Sequence, residues 1–397
     1  MVANRIGLIL LSVLWLLGPP LEAFARVKLI TLPVRERVEI QLDNPRATLV
    51  EEERIVPLLA GVDQVDFAWA NTRIDPESIV LRVIAAEHAV NVLSVSYPPN
   101  ENALVWSVFS ERPGPVQIRI SYLIANLDRS FAYRALADED ERHMVLSQHL
   151  RVRNRANEAF GDSGLYVGFG ERLRKPIGVD ETKEIRLARF AAVPIRKTYT
   201  ADAVEHGYLD RAQDKLRVPM HYVLVNDAGH GLGQAALPAG KFRIFQASGR
   251  AGSAFIGEDW GEFTPREDEL ALYLGVAQDV VVKRTIARNE RRRIAGNLYD
   301  HDVVVRYAVE NFKDAPLTLD VVEHLVDLRR QIGLVQRRPV EWALGPETDL
   351  ETGPVADKSD AQRLHFRTEL PGRGPDERAD TQVRRLHLII KNEWVAP

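Results

Sequence analysis

The chain has 397 residues, 27% charged and 45% hydrophobic, with a formal net charge of −4 and no cysteine. That balance excludes a disordered chain and a polyanion-binding protein. The missing thiols exclude a disulfide scaffold, a cysteine nucleophile, a cysteine zinc site and a lipid on an N-terminal cysteine, and the length calls for two or three domains.

Arg5 comes first, followed by an apolar run from Ile6 to Leu17, a Gly-Pro-Pro break, and Ala23-Phe24-Ala25. This is the order of a secretory signal cleaved after Ala25. The apolar run is shorter than the ~18 residues or more of a spanning helix. The mature chain is therefore expected to be periplasmic or secreted, in a bacterium; the alternative is an uncleaved N-terminal anchor. No later stretch reads as a membrane span.

From there on, period-2 alternation dominates. Val38, Ile40 and Leu42 alternate with polar residues, as do Val116, Ile118, Ile120 and Tyr122. The same holds for Val218 to Leu224, Leu270 to Val276, Val303 to Val309, Leu317 to Val321, Leu364 with Phe366, and Leu386 to Ile390. Such stripes are strands with one wet face, and they predict a mainly β fold: tandem antiparallel β-sandwich domains with few short helices. The best helical start is Ala137 to Leu150, although its end alternates; Tyr199 to Leu216 reads as a short helix or a long loop.

Several strands end at an asparagine: Asn44, Asn154, Asn226, Asn311 and Asn392. Asparagine tolerates left-handed backbone and closes Asx-turns, so the repetition reads as structural. The gap Asn311 to Pro316 then joins two strands as a hairpin turn. Domain boundaries are expected at 1–25 (signal), 26–125, 126–216 and 217–397, with a long exposed loop at 337–363 and another at 371–382.

Several segments, taken in order, resemble one family. They are "LPAGKFRIFQ" from Leu237, "FIGEDWGEFTPREDELALYLGVAQDVVVKR" from Phe255, "YAVENFKDAPLTLDVVEHL" from Tyr307 and "LHLIIKNEW" from Leu386. "SYLIANLDRSFAYRALAD" from Ser121 is similar to the family's entry into this domain, with Phe131 where a tryptophan is usual. Asp43 to Ile84 is similar to its opening β domain. The family is a set of secreted bacterial proteins of unknown function, of which mucoidy inhibitor A is the best-known member. The resemblance implies two β parts, and no catalytic residues come with it. The coiled-coil stretch common between those parts is missing here.

Candidate chemistry is sparse. Tyr299-Asp300-His301-Asp302 has metal-ligand residue types, but one strand would point His301 away from both aspartates, so no metal is expected. Glu323 falls on the apolar face of its strand, where a buried carboxylate can act as a general acid; the plainer reading pairs it with an arginine. Gly229 to Lys241 lacks the Gly-Lys-Ser/Thr ending of a phosphate loop and reads as a glycine-rich hairpin. Gly161-Asp162-Ser163-Gly164 lacks the partners of a serine protease. Arg291, Arg292 and Arg293 form the strongest basic cluster, a binding candidate for an anionic glycan or lipid headgroup, with a solvated turn as the plainer reading. Nothing calls for a cofactor or for nucleic acid. An envelope protein or a glycan is the expected partner, bound without catalysis; the alternative is an envelope hydrolase acting on polysaccharide or peptidoglycan with Glu323 as its acid.

Overall fold

The computed structural model describes residues 29–44, 46–69, 71–168, 172–249, 252–334, 341–350, 359–360, 362–373 and 381–394. The expected signal at 1–25 lies outside the described residues. The chain is mainly β, as its alternation predicts. Strands β1 (Leu29–Thr31), β2 (Arg37–Gln41), β3 (Thr48–Leu58), β4 (Gly61–Ala68), β5 (Val80–Ala85), β6 (Val90–Ser96), β7 (Ala103–Ser110) and β8 (Gly114–Ile124) come first. They are followed by β9 (Leu127–Ala137), β10 (His143–Asn154), β11 (Phe160–Tyr166), β12 (Leu173–Ile177), β13 (Thr182–Pro194), β14 (Arg196–Asp202), β15 (Tyr208–Asp210), β16 (Lys215–Leu216) and β17 (Pro219–Val225). The rest are β18 (Gly240–Ser248), β19 (Gly252–Gly261), β20 (Glu269–Val276), β21 (Val280–Ala295), β22 (Leu298–Asn311), β23 (Leu317–His324), helix α1 (Leu325–Gln331), β24 (Glu341–Leu344), β25 (Arg363–Leu370) and β26 (Thr381–Trp394).

Two compact units emerge, one within residues 1–128 and 153–182, the other within 129–152 and 183–397. The three consecutive domains read from the sequence are thus not what forms. Segment 126–216 is divided, because β9 and β10 bond to β18 and β13 while β11 and β12 join β2.

The first unit stacks a sheet of order β1-β4-β7-β6 on one of order β12-β11-β2-β3-β8-β5. Inward residues of the two sheets, Val65, Phe67 and Trp106 on one and Val50, Ile118 and Tyr122 on the other, are buried together. The Phe67 and Tyr122 rings lie 5.7 Å apart across the sandwich. The second unit contains sheets of order β13-β10-β9-β18-β19, β20-β17-β14-β23-β25 and β15-β16-β21-β22-β26-β24. The last two share one core, built from Tyr199, Leu319 and Phe366 against Val305, Tyr307 and Leu388. Burying each such large side chain stabilises by roughly 1.5–3 kcal/mol, which lets a chain without disulfides hold its sandwiches by packing alone.

The sheets are not purely antiparallel. β1 with β4, β2 with β11, β14 with β23, and β9 with β18 pair in parallel. Alternation reveals which face is buried but not the direction of the neighbouring strand, so these pairs left no mark in the sequence.

Several local expectations change. Ala137 to Leu150 is a hairpin and not a helix. Asp138 Oδ1 accepts from the Arg142 and His143 backbone, Glu141 is left-handed at φ 57°, and Met144, Leu146 and Leu150 point inward. Tyr199 to Leu216 holds the end of β14 and the β15–β16 pair. The expected loop at 337–363 includes β24, which pairs with β26; within it, 337–340, 351–358 and 361 lie outside the described residues, as do 374–380 of the loop at 371–382. β26 runs past Asn392 to Trp394. The one α-helix among the described residues, α1, is too short to leave a 3.6-residue period.

The gap at Asn311 joins two strands, but not as a hairpin, because β22 and β23 belong to different sheets. The same is true after Asn154, between β10 and β11, and after Asn226, between β17 and β18. The glycine-rich segment Gly229 to Lys241 is therefore a crossing between sheets and not a hairpin. Each of the three asparagines is buried and bonded to the backbone of its own crossing. Asn311 accepts from Lys313 N at 3.0 Å and donates to Pro371 O at 3.0 Å. Asn226 accepts from Gly233 N at 3.0 Å and donates to the carbonyls of Ala235, Thr264 and Pro265. Asn44, by contrast, is exposed and closes a β2–β3 hairpin within one sheet.

Candidate functional site

Glu323 lies at the end of β23, 3% exposed, as its parity predicts. Arg284 on β21, equally buried, holds it bidentately, with Nε to Oε2 at 2.9 Å and Nη2 to Oε1 at 2.7 Å. Tyr307 also donates to Oε2, and Gln331 Oε1 accepts from Arg284 Nη1 at 2.8 Å. Burial works against the Arg284 charge, but the neighbouring Glu323 charge outweighs it and holds the guanidinium above its ordinary value. A general acid must present an oxygen to substrate, whereas both Glu323 oxygens accept from donors inside the core. Pairing with an arginine is the arrangement observed.

Arg291, Arg292 and Arg293 are exposed on β21 and are not in a turn; the strand runs on to Ala295 and the turn follows at Gly296. Arg292 pairs with Asp300 at 3.1 Å, Arg293 Nε donates to Gly296 O at 2.8 Å, and Arg291 sits over the Tyr299 ring at 5.8 Å. In the Tyr299 to Asp302 run, Asp300 accepts from Asn392 N, and Asp302 pairs with Arg288 and His387. These groups are partnered separately and do not converge. Ser163 is buried in β11 and donates to Lys175 O. A different trio, Asp202, Glu205 and His324, brings its donor atoms within 4.8 Å of one another. Asp202 Oδ1 already accepts from Val204 and Glu205 N, Oδ2 faces His324 Nε2 at 2.9 Å, and Arg363 lies 3.6 Å from Glu205. Among the described residues it is the group with the donor types for a divalent cation, and His324 and Arg363 already partner its two carboxylates.

The site with the most chemistry lies in the first unit, at residues not named as candidates from the sequence. A cavity of about 430 Å3 opens at one end of the sandwich, lined by Thr31, Arg35, Arg54, Asp66, Trp69 and Tyr122 among others, with Glu158 at its side. Glu52 and Arg54 occupy inward positions of β3, between Val50 and Val56. Glu52 is fully buried; Arg54 Nε and Nη2 reach its Oε1 at 3.0 and 2.8 Å, and Arg35 pairs with its other oxygen. Arg35 also pairs with Glu158. Glu158 is held in place by the crossing after β10, because Asn154 donates to its carbonyl at 2.7 Å and to Gly178 O at 2.8 Å. A sheet-crossing asparagine thus fixes one wall of the cavity.

Tyr122 projects from β8 into this cluster. It is fully buried, and its hydroxyl has no hydrogen-bond partner among the described residues. Burial and the nearby Glu52 charge push its ionisation far above the ordinary tyrosine value, so at neutral pH it is a donor. The four charges of Arg35, Glu52, Arg54 and Glu158 balance, leaving Asp66 as the unbalanced charge among the named lining groups. A sequence signal for this site did exist: in Val50-Glu51-Glu52-Glu53-Arg54-Ile55-Val56, the parity that turns Val50 and Val56 inward also turns Glu52 and Arg54 inward.

No protein-family model and no curated protein matches the chain. No helix among the described residues is long and apolar enough to cross a membrane.

Proposed function

We propose that this is an exported protein of the bacterial envelope that binds, without catalysis, through the cavity of its first β-sandwich unit. The observation that carries the reading is the cavity's preformed polar wall. Arg35, the β3 pair Glu52 and Arg54, and Glu158 come from three segments and are already oriented by one another, and a pocket of this size with convergent polar groups is the usual form of a small-ligand site. Orientation completed before the ligand arrives lowers the ordering cost of binding. Export rests on the N-terminal Arg5 to Ala25 pattern, and the envelope setting also on the resemblance to secreted proteins related to mucoidy inhibitor A. The test is cosedimentation of the purified chain with isolated envelope polysaccharide, reading both retention and soluble reducing ends. Retention without release is expected; steady release of product would replace binding with hydrolysis.

A further inference from the structure

We infer that the cavity of the first unit takes an uncharged saccharide ring, with the Tyr122 hydroxyl as its buried donor. The inference rests on the binding reading above and adds the ligand class. A buried polar group without a partner is destabilising, and native interiors rarely retain one. Tyr122 is such a group, it lines the cavity, and its high ionisation value keeps its proton in place. A ligand that reaches this hydroxyl has to offer it an acceptor.

The remaining lining narrows the class. Arg35 and Arg54 look like an anion site, but each is already paired to a glutamate, so no net positive charge awaits a carboxylate or phosphate. Asp66 and Glu158 supply acceptors, which need donors from the ligand, and Thr31 and Thr72 supply groups of either kind. Phe67 and Trp69, with ring centroids 5.8 Å apart, give the same cavity an apolar aromatic wall. A ligand that donates and accepts on one side and is apolar on another, without net charge, is a sugar ring. The rival is an organic cation, drawn by Asp66 and the Trp69 face.

Saturation-transfer NMR on the full chain distinguishes these outcomes, with glucose, N-acetylglucosamine and its β-1,4 disaccharide as probes beside a lysine-containing tripeptide and spermidine. The comparison variant is Tyr122→Phe, which removes only the hydroxyl. Because that hydroxyl has no hydrogen-bond partner among the described residues, the variant is expected to melt at or above the wild-type temperature while binding the responding sugar about tenfold more weakly. A purely structural tyrosine would move the first readout and not the second. Sugar binding unaffected by Tyr122→Phe overturns the assignment. Binding of spermidine or the tripeptide alone overturns the saccharide class and leaves the binding cavity standing. No response from any probe, together with no retention on envelope polysaccharide, overturns both.

Discussion

Glu323 and Tyr122 are both inward-facing polar residues on strands, and they differ in what their neighbours supply. Around Glu323 the core provides three donors. Removing one partner from such a buried pair leaves the other charge uncompensated, so Glu323→Leu should cost about 3–5 kcal/mol. Replacing the group together, as Arg284→Met, Glu323→Leu and Tyr307→Phe, should recover most of that loss, and the denaturant midpoints of the two proteins check it. Asp320, next to Val321 on the same strand, is a buried contributor to the pH dependence. Burial pushes its carboxyl up, but the His365 and Arg367 side chains outweigh this and hold it below the ordinary value of 3.8. A lowered native value contributes stability that is full above the unfolded value and is lost as pH falls through the native one. Asp320→Asn should therefore melt below wild type at neutral pH, with the gap closing below about pH 4. A gap independent of pH would mean that His365 and Arg367 do not lower the carboxyl.

At the scale of elements, the asparagines separate crossings from hairpins. Asn226→Ala would leave the Ala235 and Pro265 carbonyls and the Gly233 N–H without this partner, while Thr264 O keeps Leu237 N, a loss of ~3 kcal/mol or more. Asn44→Ala on an exposed hairpin should cost about 1 kcal/mol or less. Gly233 is left-handed at φ 79°, and a Cβ there would sit 2.5 Å from the Asp227 and Ala228 backbone. Gly233→Ala should accordingly destabilise about as much as Asn226→Ala, and thermal melts of the three variants rank them. The strands themselves were legible because alternation repeats along the chain. What followed each asparagine was not: a hairpin and a crossing begin with the same Asx-turn, and only the sheet of the next strand distinguishes them. The acidic run at Asp138 to Glu141 looked helical for a related reason, since groups that favour a helix start also cap a turn.

For the whole molecule, the sequence drew attention to Glu323 and to Arg291, Arg292 and Arg293, because charge beside apolar residues and charge in clusters stand out along a chain. The cavity did not stand out. Its walls come from β1, β3, β4, β8 and the crossing after β10, whose members are each ordinary in isolation and meet only through the stacking of two sheets. Inward Glu52 and Arg54 on β3 were the one legible trace. The binding account therefore turns on place: the cavity, and not the basic stretch of β21. Ala68 lines the cavity yet is exposed, so Ala68→Trp adds an indole at its rim without enlarging a buried side chain. Retention on isolated envelope polysaccharide should be measured for wild type, for Ala68→Trp, and for the triple Arg291→Gln, Arg292→Gln, Arg293→Gln variant. The account predicts that Ala68→Trp loses retention about tenfold or more while the triple variant keeps it. Retention that survives Ala68→Trp and vanishes in the triple variant would contradict it.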